Sequence, residues 1–588
     1  MKEFASKRRA AAREPRAPVA ERYAQGPSTP NSMQRTPRLY TFPTLISSSL
    51  CAALVACSTP GASSNGAAAR TAPNASGDAP ASEHAAAKPG APTCGDPLVP
   101  ASGNGGYDVQ SYALDLRFVS VDAPLEATAR IRARALHGLT RFNLDFYGLE
   151  VRSAQVDGAD ALFERQGQEL VLWPAKPLAA GADFEVVIAY GGVPSGVEDS
   201  TLPVPGVEIG WVSAEGEAYV FSQPNGAMNF LPCNDHPSDK ALYSARLTAP
   251  KPLLAVSNGV LQETIDNGDT RTFVWSARDP LATYLITIAI GEFEVEELVA
   301  QDGRKYTNYY SPKLRASQRK SFAKTPQIIE TLESIAGPYP FESCGNIASC
   351  LPLPAALETQ TIPVYGLGSG VESVIAHEHA HQWFGDLVSV ADWSDIWLNE
   401  GFAEYLAWMY TERSKGVEAF EKIVYGAYRS MRNAKGNTPG KVTARSMFGS
   451  SVYVRGPLVL HALRLDVGDA TFENTLRSWC EKYAHGNANI GQFLEHASSV
   501  AGRDVRPTLN PWLYDEQIPR WPAYDQRIDA ENQERDARRA KRDAERAARE
   551  AEKAAKAAQK AAESSADESS ADKPAPEKPA DGSSDSDG

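Results

Sequence analysis

Residues 377 to 400 read HEHAHQWFGDLVSVADWSDIWLNE, and two histidines in this segment, His377 and His381, are four positions apart. On an α-helix this spacing places both imidazoles on one face, about one turn apart, where they can bind the same zinc ion. His379 lies roughly 200° from His377 around such a helix, so it is predicted to pack rather than to bind metal. The segment therefore predicts a helix that presents two metal ligands.

A catalytic zinc ion takes three protein ligands and keeps a further position for water. Glu400 is the natural candidate for the third ligand, because it lies in a second segment of helical pattern, residues 395–408, which can return to the metal. Glu378 is then free to act as a general base, as the glutamate of an H-E-x-x-H motif does. We expect one zinc ion per chain and hydrolysis by an activated water.

The residues around these ligands, Gln382-Trp-Phe-Gly and Trp397-Leu-Asn-Glu-Gly-Phe-Ala-Glu, resemble those of the gluzincin metallopeptidases of the aminopeptidase N family, peptidase family M1. The resemblance covers roughly residues 95 to 522. It implies a zinc-dependent aminopeptidase that acts on peptides with a free amino terminus. It also implies a short bacterial form of the family, without the helical domain that follows the catalytic domain in many relatives.

The resemblance also implies residues that bind the substrate. Pro354-Ala-Ala-Leu-Glu-Thr is similar to the family's Gly-Ala-Met-Glu-Asn strand, in which the glutamate binds the α-ammonium group, so Glu358 takes that role and Leu357 lines the first side-chain pocket. Gln223 and Asn225 match positions that also hold the amino terminus. Relatives commonly carry an acid where Asn225 stands, and a neutral side chain there predicts a weaker hydrogen bond to the ammonium group.

Ser451-Val-Tyr-Val-Arg-Gly-Pro is similar to the family's tyrosine segment, which leads into a helix. By this resemblance Tyr453 donates a hydrogen bond to the oxyanion that develops during hydrolysis. Two alternatives remain open from the sequence. A zinc endopeptidase would result if Glu358 were turned away from the metal, and a surface binding protein on a peptidase fold would result if a catalytic part were missing.

The expected fold is α+β and multidomain. Alternating apolar and polar positions predict strands over residues 109–119, 126–136, 184–190 and 282–290, and several short strands at this spacing favour a sandwich or saddle of β-sheets. We assign residues 94–299 to this β-domain and residues 300–522 to a thermolysin-like, mainly helical zinc domain. Residues 523–563 are predicted to form a charged, alanine-rich helix, and residues 564–588 a disordered acidic tail.

The amino-terminal residues predict export. Residues 1–57 read as a leader and a signal peptide that ends in Leu54-Val-Ala-Cys57, which resembles the bacterial lipobox, so Cys57 is predicted to carry a lipid. Ser58 after the cysteine favours anchorage at the outer membrane of the cell envelope. Residues 58–93 are predicted to be a disordered tether. An exported location permits disulfides, and Cys344 and Cys350 are the best candidate pair.

The formal net charge is −14, from 73 acidic and 59 basic residues. Such a charge disfavours nucleic acid as a partner. The expected partners are peptides with a free amino terminus and, through the lipid anchor, a membrane. The oligomeric state does not follow from the sequence.

Overall fold

The computed structural model describes residues 87–199, 201–202, 207–436 and 438–570. The amino-terminal part is built from strands, and its central strands show why. In Leu125–Ala135 the apolar side chains alternate with polar ones, and the first set is buried while Glu126 and Arg130 face solvent. Because successive side chains of a strand point to opposite faces, this alternation covers a core on one side of a sheet.

The strands of the β-domain are β1 Lys88–Pro89, β2 Tyr107–Arg117, β3 Leu125–Ala135, β4 Leu139–Asp145, β5 Glu150–Val156, β6 Ala159–Asp160, β7 Leu162–Gln166, β8 Glu169–Trp173, β9 Asp183–Gly192, β10 Val197–Glu198, β11 Glu208–Ala214, β12 Glu217–Phe221, β13 Leu242–Pro250, β14 Leu254–Ser257, β15 Val260–Asp266, β16 Thr270–Ser276 and β17 Ile288–Gly291. They form an eight-stranded sheet of order β15-β16-β13-β2-β3-β9-β5-β6, a five-stranded sheet of order β10-β11-β12-β17-β14 and a four-stranded sheet of order β1-β4-β8-β7. Strand β12 ends at Phe221 and thereby brings Gln223 to the edge of the domain that faces the zinc helices.

The catalytic domain has its own five-stranded sheet of order β18-β19-β20-β22-β21. Its strands are β18 Glu294–Val299, β19 Lys305–Tyr310, β20 Gly345–Ala348, β21 Ala356–Leu357 and β22 Val364–Tyr365, and a separate pair consists of β23 Ser389–Val390 and β24 Asn487–Ala488. Strands β19, β20 and β22 run parallel, whereas the edge strand β21 pairs antiparallel with β22. Glu358 therefore follows directly from the edge of this sheet.

Helices form the rest of the catalytic domain. They are α1 Ala316–Arg319, α2 Thr325–Ala336, α3 Glu372–Ala380, α4 Trp397–Lys415, α5 Val417–Met431, α6 Gly456–Val467, α7 Asp469–Tyr483, α8 Ile490–Ala501, α9 Arg506–Tyr514 and α10 Pro522–Ser570. Helices α3 and α4 pack against each other and are buried over most of their length. Gly416, with a positive φ of 90°, ends α4 and allows the chain to turn into α5.

Several predicted boundaries require correction. Strand β1 pairs with β4, so the ordered β-domain includes residues that the prediction assigned to the tether, and its expected start at residue 94 is too late. Residues 1–86, with Cys57, lie outside the described residues. Strand β18 pairs with β19 and so belongs to the catalytic sheet, although the sequence placed it in the β-domain. The strand predicted over residues 282–290 is divided into a 3₁₀ turn, Thr283–Leu285, and β17.

The candidate disulfide between Cys344 and Cys350 is not formed. Strand β20 lies between the two cysteines, and an extended chain of this length separates their Cα atoms by up to about 20 Å, whereas a disulfide needs less than about 7 Å. The Cys344 sulfur lies 3.9 Å from Nδ1 of His379, and the Cys350 thiol donates to the carboxylate of Glu217 at 3.2 Å. The two thiols therefore contact different buried residues.

The charged helix predicted over residues 523–563 is present as α10, which continues to Ser570 into the segment predicted to be disordered. Residues 571–588 lie outside the described part of the chain. Among the described residues, no helix is both long enough and apolar enough to cross a membrane.

Candidate active site

Helices α3 and α4 bring the three predicted metal ligands together. His377 lies in the last turn of α3, His381 caps that helix, and Glu400 lies in the first turn of α4. The Nε2 atoms of the histidines are 3.1 Å apart, and Oε2 of Glu400 lies 3.3 Å from His377 and 3.2 Å from His381. All three residues are buried. The fold therefore brings together the three residues that the sequence proposed as metal ligands.

This arrangement fits a zinc ion. Tetrahedral ligands at zinc distances of about 2.0–2.1 Å stand about 3.3 Å from one another, close to the separations found here. Nδ1 of His377 bonds to Glu404 at 3.0 Å, and Nδ1 of His381 bonds to the carbonyl of Phe384 at 3.0 Å. With both Nδ1 hydrogens donated in this way, each Nε2 points a lone pair at the same place as the carboxylate oxygen. Such a set of electron pairs is stabilised by a cation.

Glu378 lies beside this set without being part of it. Its carboxylate oxygen, one of Glu358 and a ring nitrogen of His381 all lie within 4.8 Å of one another, and all three residues are buried. Burial raises the pKa of Glu378 to about 8, although the neighbouring His377 and His381 lower it. A carboxyl group with a raised pKa, close to the metal site, is suited to accept and return a proton.

The predicted ammonium anchor, Glu358, faces the same centre. Nε2 of Gln223 donates to Oε1 of Glu358 at 2.9 Å and lies 3.4 Å from Oε1 of Glu400. The amide nitrogen of Gln223 therefore joins the anchor to a metal ligand, and its carbonyl oxygen remains as an acceptor for an ammonium group. Glu358 is not turned away from the metal site, so the condition for the endopeptidase alternative is not met.

Asn225 and Leu357 are placed differently. Nδ2 of Asn225 donates to the hydroxyl of Ser102 at 2.7 Å. Its Oδ1 is buried and has no hydrogen-bond partner among the described residues. Leu357 is buried at the end of β21, next to Glu358. The structure thus places Gln223 directly against the anchor, whereas Asn225 bonds to the amino-terminal segment of the β-domain.

Tyr453 reaches the site from a turn of π-helix, Ser451–Arg455, that leads into α6. Its ring stacks on that of His377 with centroids 6.0 Å apart. Burial, followed by the charges of Glu400 and Glu358, raises the pKa of Tyr453 well above its ordinary value. The hydroxyl therefore keeps its proton and can donate it in a hydrogen bond. π-turns inside helices are frequent at functional sites.

His379 is directed away from the metal ligands, as the sequence predicted. Its Nε2 lies 3.0 Å from Oδ1 of Asn346 in β20, and burial lowers its pKa to about 3. The neutral ring packs between α3 and the sheet.

The sequence did not identify Glu404, whose carboxylate binds Nδ1 of His377 and accepts from Nε1 of Trp408 at 2.7 Å. A signal was present, because Glu404 follows Glu400 by four residues and so lies on the same face of α4. A carboxylate one turn beyond a metal ligand is well placed to orient a second ligand.

Two family models match the chain. The model described as the peptidase M1 N-terminal domain matches residues 109–285, and the peptidase family M1 domain matches residues 367–512. Aminopeptidase M1-A of Oryza sativa subsp. japonica is 24% identical over 442 residues, which are 68% of this chain and 48% of the rice protein. A probable aminopeptidase 1 of Saccharolobus solfataricus is 25% identical over 401 residues, or 63% and 49% of the two chains. The chain spans about half the length of these curated relatives.

Solved structures match over a larger share of their length. The M1 zinc metallopeptidase of Deinococcus radiodurans has 30% sequence identity and a TM-score of 0.68, and the match covers 73% of this chain and 98% of that one. A variant of it with a bound Tyr-Ser-Ala substrate has a TM-score of 0.69 at 30% identity, over 73% and 99% of the two chains. The two matching family models, and a solved structure with 30% identity that the match covers to 98%, show that this chain belongs to peptidase family M1.

Proposed function

We propose that this protein is a zinc-dependent aminopeptidase that hydrolyses the first peptide bond of peptides with a free amino terminus. The observation that carries the proposal is the position of Glu358, whose carboxylate lies within 4.8 Å of Glu378 and His381 in one buried group. An anion so near the metal ligands leaves room for one residue between a bound ammonium group and the scissile carbonyl. Cleavage is thereby restricted to the amino-terminal end.

The residues of the site divide the chemistry among them. His377, His381 and Glu400 would hold the zinc ion, which would supply Lewis acidity to the scissile carbonyl and to a water molecule near neutral pH. Glu378 accepts a proton from the attacking water and returns it to the leaving amine, as a general base and then a general acid. One carboxylate therefore serves both halves of the reaction.

Tyr453 and the anchor residues act on the substrate itself. The Tyr453 hydroxyl donates to the carbonyl oxygen as negative charge develops there, an interaction that is stronger in the transition state than in the bound substrate. Glu358 and Gln223 hold the ammonium group through charge-assisted hydrogen bonds. The substrate is thus oriented at both ends of the bond to be cleaved.

The proposal is tested by hydrolysis of a panel of aminoacyl chromogenic substrates with the purified protein, with and without a chelator. We expect Glu378→Gln to bind zinc but to lose turnover, and Tyr453→Phe to lower kcat on the order of 10²-fold or more with zinc retained. Matched amino-terminally acetylated peptides should resist cleavage. Equal cleavage of acetylated and free peptides would instead identify an endopeptidase, and a zinc-loaded protein without any turnover would favour a binding role.

We further propose that the protein is exported and lipid-anchored at the outer membrane. The support is the segment Leu54-Val-Ala-Cys57 after an apolar stretch, with Ser58 following the cysteine. Incorporation of labelled fatty acid into the wild-type protein, absent in Cys57→Ser, is the expected result. Release of both proteins in soluble form from fractionated envelopes would contradict the proposal.

A further inference from the structure

The loop that carries Glu358 is held by side-chain hydrogen bonds in addition to backbone ones, among them those from the N–H of Gln360 to the carbonyl of Leu285 at 3.3 Å and from the N–H of Gly345 to the carbonyl of Thr361 at 3.1 Å. It joins the end of β21 at Leu357 to the start of β22 at Val364. Residues 358–361 are each at most 2% exposed. Buried peptide groups require hydrogen-bond partners, so the side chains that supply some of these partners help to determine where this loop lies.

Gln382, the residue after the metal ligand His381, binds both ends of the loop. Its Oε1 accepts from the backbone N–H of Thr361 at 2.8 Å, and its Nε2 donates to the carbonyl of Glu358 at 3.1 Å. The side chain is fully buried. Gln382 therefore connects the end of the zinc helix to the backbone of the ammonium anchor.

Asn258, in the turn after β14, holds the middle of the loop from the other domain. Its Nδ2 donates to the carbonyl of Gln360 at 2.8 Å and to that of Leu285 at 2.9 Å. Its Oδ1 accepts from the N–H of Thr287 at 2.8 Å. Two of these hydrogen bonds fix the buried amide within the β-domain, and the third holds the loop to it.

Thr361 shows that the loop is held under constraint. Its φ is +70°, a conformation that β-branched residues rarely adopt. Its hydroxyl oxygen accepts from the N–H of Gly259 at 3.0 Å, next to Asn258 in the same turn. Strained backbone persists only where the surroundings over-determine it, and such positions cluster at functional sites.

We propose that Gln382 and Asn258 are positioning residues that fix the Glu358 carboxylate relative to the metal-ligand helix, and so set the distance between the bound amino terminus and the cleaved bond. The inference rests on the aminopeptidase function proposed above. It also gives the β-domain a second role in substrate selection, in addition to that of Gln223. The turn at Asn258 holds the loop that carries Glu358. Neither side chain needs to touch the substrate.

The test compares Gln382→Met and Asn258→Ala with wild type, using leucine and alanine 4-nitroanilides. Asn267→Ala is the matched control, since this exposed side chain, in the turn between β15 and β16, donates to the hydroxyl of Thr272 in β16 at 3.0 Å. Loss of the hydrogen bonds from Gln382 or Asn258 to the loop should raise KM about tenfold with a smaller change in kcat. Zinc content should stay at one ion per chain. A merely structural role would lower the folded fraction and hence kcat, and would leave KM unchanged.

Hydrogen exchange provides a second measurement on the same proteins. The amides of residues 358–362 should exchange faster in both variants than in Asn267→Ala. Asn258→Ala decides the question if Gln382→Met loses zinc, because Asn258 lies in the other domain. A zinc-loaded Asn258→Ala protein with wild-type KM and wild-type exchange would overturn this inference but leave the proposed function standing. Absence of turnover by the zinc-loaded wild type would instead remove the proposed function, and the inference with it.

Discussion

The carboxylate of Glu404 orients the ring of His377, which is one of the three proposed metal ligands. By accepting from Nδ1 of His377 at 3.0 Å it leaves Nε2 as the coordinating atom. We expect Glu404→Gln to weaken zinc binding by about 10- to 100-fold, because loss of such an outer partner lowers the basicity of the ligand and frees its ring. Competition with a chromophoric chelator measures this directly. Glu418→Gln, an exposed substitution beyond α4, is the control, and equal zinc affinity of the two variants would contradict the assignment.

Asn225 offers a different test at the ammonium end. Its buried Oδ1 has no hydrogen-bond partner among the described residues, and a carboxylate there would add a charge-assisted acceptor for the substrate. Asn225→Glu should therefore lower KM for free-amine substrates severalfold, with little effect on kcat. Asn225→Gln supplies the added methylene without the charge. An unchanged or higher KM in the glutamate variant would show that this position does not face the amino terminus.

At this scale the sequence predicts the residues whose chemistry depends on spacing. His377, His381 and Glu400 follow from helical periodicity and from the third ligand that zinc needs, and the structure brings all three together. Gln382 and Asn258 do not follow, because they act through backbone groups that only the folded chain brings near. Their side chains carry no motif of their own, and the two residues are 124 positions apart in the sequence.

Among the elements, α10 combines a packed start with a solvated remainder. Tyr524 and Ile528 are buried, and Asp529 forms an ion pair with Arg432 at 2.9 Å. Residues 533–563 are exposed, and most of their ion pairs join residues four apart within the helix, such as Arg546 with Glu550 at 3.0 Å, while one joins the adjacent Arg535 and Asp536. Such pairs support a helix without giving it a partner.

This division predicts that truncation of the chain at two different positions will have different effects on stability. A chain that ends at Glu534 should keep its melting temperature and its kcat/KM, because exposed helical pairs contribute only a few tenths of a kcal/mol each. A chain that ends at Trp521 should melt several degrees lower, since burial of an aromatic or branched side chain contributes about 1.5–3 kcal/mol. Differential scanning calorimetry of both chains provides the measurement. Similar destabilisation by the two truncations would mean that the distal helix packs on the body.

Elements with strong alternation or helical periodicity were predictable, and short ones were not. Strands β2 and β3 lie within two residues of their predicted bounds because their patterns are regular. The two-residue strand Lys88–Pro89 is too short to show a pattern, and it is defined by its pairing with β4. The candidate disulfide between Cys344 and Cys350 was wrong for the same reason. Strand β20, which lies between the two cysteines, is held by pairing with β19 and β22, and its own sequence does not predict this.

At the scale of the whole molecule, the carboxylate of Asp96 connects three parts of the chain. We call this contact, which Asp96 makes with His236 and Trp393, the joint between the two domains. Asp96 lies on the segment that enters the β-domain, and its Oδ2 accepts from Nε2 of His236 at 3.1 Å and from the N–H of Trp393 in the catalytic domain at 2.7 Å. Asp96 and His236 are both 3% exposed. Because the active site draws Gln223 from one domain and its metal ligands from the other, a firm joint keeps the two sets in register.

The charge on this joint makes stability depend on pH in a defined direction. Burial disfavours the charged imidazole, yet the hydrogen bond to Asp96 raises the pKa of His236 to about 9, above its ordinary value of about 6.5 in an unfolded chain. The stabilisation, about 3 kcal/mol, is fully present below pH 6.5 and is lost as the pH rises through 9. We therefore expect the difference in melting temperature between wild type and His236→Gln, which keeps a neutral donor for Asp96, to be largest near pH 6 and to vanish near pH 10. A difference that stays constant across this range would show that His236 is neutral in the folded protein and that the joint is held by packing alone.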